Sequence, residues 1–139
     1  MPAEELRVEI GAEPIRTFAV EVQEGVAPVD IEVYREGEGA ACPDDAVARI
    51  AFVAKLADDT VWDSSERRRF TLAVPLGEYG TIPGLRAAIT GMKPGEISPP
   101  RIPWQLGYGE QGRAPIPPET DLIFDIRLVG FEPIDSDAQ

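Results

Sequence analysis

The alternation of apolar and polar positions is clearest toward the C-terminal end of the chain. From Asp121 to Phe131, Leu122, Phe124, Ile126 and Leu128 recur at period two, with Asp121, Asp125 and Arg127 on the other face. Period two marks a strand with one face buried, so the inner face of this segment should line the core. A second strand is predicted from about Val47 to Leu56, where Ile50, Phe52, Ala54 and Leu56 alternate with Arg49 and Lys55, ending at the turn Asp58-Asp59. Phe70, Leu72 and Val74 predict a third. Ile97 to Ile102 predicts a fourth whose prolines suit an edge or a bulge, and Ile31 to Tyr34 a fifth. Only Pro83 to about Thr90 has helical spacing, through Leu85, Ala88, Ile89 and Met92; Pro83 suits a first turn and Gly91 an end. Before Val29, Leu6, Val8 and Ile10, then Phe18, Val20 and Val22, alternate as two further strands. The pattern is α+β, an antiparallel sheet of five to six strands around one short helix. Residues 1–28 form an extension, 29–131 the main domain, and 132–139 an acidic tail expected to fray.

Composition narrows the chemistry more than the fold. A chain of 139 residues with 43% apolar content suits one domain with a real core, and its 14 Pro and 13 Gly favour short elements broken by turns. No apolar run approaches the roughly 20 residues of a membrane span. The start Met-Pro-Ala-Glu-Glu lacks the basic and apolar segments of a secretory signal, which predicts a cytoplasmic location. Cys42 is the single cysteine, so no intramolecular disulfide forms, and a solvated or half-buried thiol is expected. Histidine is absent, which excludes His-dependent triads and imidazole acid–base steps. With one Cys as well, neither a metal nor a cofactor is expected. The net charge of −12 repels nucleic acid and anionic membranes, serves solubility, and would favour basic client segments.

One ordered set of short motifs goes further. It consists of Trp62-Asp63-Ser64-Ser65, Ile82-Pro83-Gly84, Gly91-Met92-Lys93-Pro94-Gly95-Glu96, Ile102-Pro103, Gly107-Tyr108-Gly109, Ile116-Pro117-Pro118 and Leu122-Ile123-Phe124-Asp125. Each is weak alone, but in this order and spacing, from about Val29 to Phe131, the chain resembles the FKBP-type immunophilins. That resemblance implies an FKBP-like fold and peptidyl-prolyl cis/trans isomerase activity that assists protein folding. It implies that proline-containing polypeptides are the partners. Asp63, Tyr108 and Ile82 would be the catalytic residues, and Phe52, Trp62, Leu72, Thr81, Leu85, Ile116 and Phe124 would bind substrate.

Plainer readings stand beside these. Leu72 and Phe124 also read as core residues, Asp63 as a turn residue accepting backbone N–H groups, and Arg67, Arg68 and Arg69 as a solvated loop. Tyr108 between two glycines reads as a loop residue that meets a ligand. The chain also departs from the family pattern. Leu85 stands where a floor Trp is usual, Phe52 where a Tyr is usual, and Trp62 where Phe is commoner; the loop before Ile116 is short. These departures predict weaker catalysis and reduced affinity for macrolide immunosuppressants. The alternative function is a catalytically weak peptide-binding or chaperone module, and the extension could expose a strand edge for assembly. The oligomeric state is left open.

Overall fold

A computed structural model describes residues 2–77 and 80–134. In chain order the elements are helix α1 (Ala3–Leu6), strands β1 (Arg16–Val20), β2 (Val29–Val33), β3 (Ala46–Leu56) and β4 (Val61–Ser64), helix α2 (Ser65–Arg68), strand β5 (Leu72–Pro75), helix α3 (Pro83–Ile89), strands β6 (Ile97–Ser98) and β7 (Arg101–Ile102), a 3-10 turn (Trp104–Leu106) and strand β8 (Leu122–Pro133).

The two segments with the strongest period-two pattern form the centre. β3 pairs antiparallel with β8 along its whole length, from Ala46 opposite Pro133 to Leu56 opposite Leu122. Ile50, Leu122, Ile126 and Leu128 are 0% exposed and Phe52 is 1% exposed. The register shifts between Arg49 and Ile50, leaving Val129 unmatched as a bulge. β4 and β5 flank β3, β6 and β7 flank β8, and β2 and β1 continue the sheet to its edge, all antiparallel.

The α+β class stands, but among the described residues the sheet has eight strands rather than five or six. The Ile97–Ile102 segment divides at Pro99-Pro100, since proline cannot donate to a ladder. β4 adds a hairpin arm that has no alternation of its own. Phe70 lies outside β5 and is exposed.

Helix α3 packs Leu85, Ala88 and Ile89 into the core, with Met92 buried just beyond its end. Its first turn lies so close to β7 that a Cβ on Gly84 would sit 2.3 Å from Ile102 Cγ2. Glycine after Pro83 is therefore a packing requirement.

The extension corrects one of its two expected strands. Leu6, Val8 and Ile10 do not form a strand. Residues 3–6 make one helical turn with Glu4 and Glu5 at its N-terminus, where acidic side chains are favoured, and only Leu6 is fully buried. Burying that leucine contributes about 1.5–3 kcal/mol. The turn contacts α2 and β3; the Ser65 hydroxyl donates to the Leu6 carbonyl at 2.6 Å, and the Arg127 guanidinium donates to the carbonyls of Glu5 and Arg7. The second alternating stretch is a strand, β1, ending at Val20.

Cys42 is neither solvated nor half-buried but 2% exposed. Its N–H donates to Met92 O and its carbonyl accepts from Gly91 N–H, both at 2.8 Å, so the loop is pinned over the end of α3. Burial pushes the thiol up to about 11. At the C-terminus, β8 takes in Glu132 and Pro133, which the pattern had assigned to the tail; tail residues 135–139 lie outside the described residues.

Candidate active site

The hairpin β3–β4, strand β5, the start of α3, the loop from Gly107 to Ile116 and strand β8 surround one open cavity of about 360 Å³, within the size of small ligand clefts. Every predicted site residue except Ile82 lines it. Phe52 and Phe124 face it from the central strands, Trp62 and Asp63 from β4, Leu72 from β5, Thr81 and Leu85 from the approach to α3 and its first turn, and Tyr108 and Ile116 from the long loop. Ile82 is half-buried against the core and caps α3, its carbonyl accepting from Leu85 and Arg86 N–H at 3.1 and 3.2 Å. Among the described residues its own N–H has no backbone acceptor.

The apolar wall is held by edge contacts. The Trp62 ring meets Phe124 at 5.8 Å and 85°, and Tyr108 at 6.3 Å and 78°, the T-shaped arrangement that aromatic quadrupoles favour. Trp62 Nε1 is buried without a hydrogen-bond partner among the described residues. Burial raises the pKa of Tyr108, Asp63 adding to the rise and Arg113 opposing it, so the hydroxyl stays protonated and able to donate at neutral pH.

Asp63 combines both of its sequence readings. Its Oδ1 accepts the Ser64 N–H at 2.8 Å, as a turn residue would, while the carboxylate also faces the cavity. There it forms a bidentate pair with Arg68: Nε at 3.1 and 3.0 Å from its two oxygens and Nη2 at 2.8 Å from Oδ2. This charge-assisted fork raises the Arg68 pKa and fixes the carboxylate's orientation.

Sequence reasoning placed Arg68 in a solvated loop, whereas it lines the cavity. The signal was present: Ser64 caps α2 by accepting the Arg67 N–H at 3.0 Å, and the resulting helical turn folds Arg68 back onto Asp63. Arg113, Ala114 and Pro115 also line the cavity and were not singled out. Their loop is tight, with Arg113 and Ile116 exchanging backbone hydrogen bonds at 2.9 and 2.6 Å. Gly112 makes this possible at φ +68°, where a Cβ would lie 2.5 Å from Ile116 O.

Residues 38–129 match the family model described as FKBP-type peptidyl-prolyl cis-trans isomerase. FK506-binding protein 2 of Yarrowia lipolytica is 37% identical over 120 residues, covering 83% of this chain and 82% of the relative. FK506-binding protein 3 of Dictyostelium discoideum is 41% identical over 85 residues, covering 60% of this chain but only 44% of that protein. This chain thus spans less than half the length of some relatives it matches. The crystal structure of FkpA from Escherichia coli superposes with a TM-score of 0.72 at 30% identity, covering 76% of this chain and 49% of that one. With residues of four of its motifs, Trp62 and Asp63, Tyr108, Ile116 and Phe124, lining one cavity, the chain belongs to the FKBP-type peptidyl-prolyl cis-trans isomerase family.

Proposed function

We propose that the cavity accelerates rotation about X-Pro bonds in polypeptides and so assists their folding. The observation that carries this reading is the convergence of Trp62, Leu85, Ile116 and Phe124 with the Tyr108 donor on one open cavity. Rotation about a peptide bond breaks amide resonance against a barrier of about 18–20 kcal/mol, and no covalent intermediate is required. A catalyst has only to favour the twisted amide over both planar forms. The twisted amide has lost charge separation, so a wall that excludes water penalises it less than it penalises the planar amide. Trp62 and Phe124 grip the proline ring and supply that wall. The Tyr108 hydroxyl and the Ile82 N–H hold substrate carbonyls, and Asp63, fixed by Arg68, orders the rim.

A second reading, peptide binding without useful turnover, is favoured by Leu85, which gives the cavity an aliphatic floor. NMR exchange spectroscopy on a short Ala-Pro peptide, run with a binding titration, separates the two. Accelerated exchange with shifts at Trp62, Ile82 and Tyr108 supports catalysis. Binding without acceleration supports the second reading, and shifts elsewhere would show that the site is misassigned. Macrolide binding with reduced affinity belongs to the same proposal, and competition with the peptide tests it.

A further inference from the structure

Among the described residues, three charged side chains line the cavity: Asp63, Arg68 and Arg113. Arg68 is committed to both oxygens of Asp63, so this pair compensates itself. Arg113 differs: among the described residues it forms no ion pair. Its guanidinium carbon lies 6.0 Å from the centroid of the Tyr108 ring, a position over an aromatic face that a cation favours. The reciprocal Arg113–Ile116 hydrogen bonds fix the backbone from which it projects. Among the described residues that line it, the cavity therefore has an excess of one positive charge, in a chain whose net charge is −12.

The geometry points to Arg113 as a specificity-determining residue that selects substrates with an acidic side chain, Asp or Glu, next to the proline. This selection rests on the isomerase reading above. With the proline ring against Trp62 and Phe124, the neighbouring residue is one Cα step of about 3.8 Å away, within the span of an arginine side chain. A carboxylate there meets a guanidinium with no competing anionic partner among the described residues. The overall charge acts in the opposite direction, favouring basic clients. However, it is spread over the surface and screened beyond a Debye length of about 8 Å at physiological ionic strength, whereas the contact with Arg113 is local.

The test is kcat/KM by NMR exchange for peptides with Glu, Ala or Lys immediately before or immediately after the proline. The native protein should favour Glu over Lys at one of these positions by about two- to fivefold, the scale of an exposed ion pair. Arg113→Gln should flatten the ratio, Arg113→Glu should invert it, and Arg113→Lys should restore most of it. A native preference for Lys at both positions, or a Glu/Lys ratio unchanged in Arg113→Gln and Arg113→Glu, would overturn the assignment. A flat ratio with normal exchange of the Ala peptide defeats this selection alone. Failure to exchange any peptide defeats the isomerase reading and the selection with it.

Discussion

β3 and β1 are both paired antiparallel strands, yet they sit in opposite circumstances. β3 lies between β8 on one side and β4 and β5 on the other, and Ile50, Ala51 and Phe52 in its middle are all essentially buried. β1 lies at one edge of the sheet, and four of its five residues are exposed. Phe18 stands opposite the buried Ile31 but is itself 42% exposed, with the Arg16 guanidinium 5.2 Å above its ring. An apolar residue at strand spacing gains stability only where another layer covers it. The cavity wall has such layers and the far edge does not.

The largest expected effect tests that contrast directly. Phe52→Ala should cost about 3–5 kcal/mol in denaturant unfolding, as truncation of a buried aromatic does, while Phe18→Ala should stay within about 0.5 kcal/mol. Comparable losses at both sites would break the comparison. Next, Leu6→Ala should cost about 2 kcal/mol, near the low end for a buried leucine because the turn that carries it is short. A negligible loss would mean that α1 adds nothing to the fold.

A smaller effect is expected at Leu85, which is buried but borders the cavity. In Leu85→Trp the indole can grow into that space, so the stability loss should be about 1 kcal/mol, at the low end of overpacking costs, and kcat/KM for an X-Pro peptide should rise. Measuring melting temperature with turnover checks both; unchanged stability without a gain in turnover would show that the floor does not limit catalysis. The smallest effect concerns Glu96, whose pKa is raised mainly by burial, with the Lys93 N–H and Arg16 opposing the rise. Its folded pKa exceeds the unfolded one, so its contribution is fully present below the ordinary carboxyl range and is lost as pH rises through the folded value. Stability of Glu96→Gln relative to the native protein should therefore increase from acid toward neutral pH. A difference that is flat with pH would place the titration elsewhere.

Much of the fold was legible because period two and helical spacing coincide with the residues buried in β3, β8 and α3. The cavity was legible through the order of its motifs, which located residues on five separate elements that no local pattern connects. What escaped depended on how faces are covered. Leu6, Val8 and Ile10 alternate as a strand would, but the helical turn α1 that carries Leu6 packs on α2 and β3. Asp125 does lie on the face away from the core, yet it is 7% exposed and paired with Lys55 at 3.1 Å. Cys42 gave no sign of the loop that buries it, and Arg68 reaches Asp63 only through the short helical turn that Ser64 caps.

The pairing of β3 with β8 also governs the order of events during synthesis. Ala46–Leu56 leaves the ribosome well before Leu122–Pro133, and until β8 emerges the central strand lacks its longest ladder. Contacts so distant in sequence require a large loop to close before they return any stabilisation, which makes folding slow relative to proteins of mostly local contacts. In that interval the apolar residues of β3 are open to intermolecular association, and the nascent chain depends on the solubility that its own acidic charge confers.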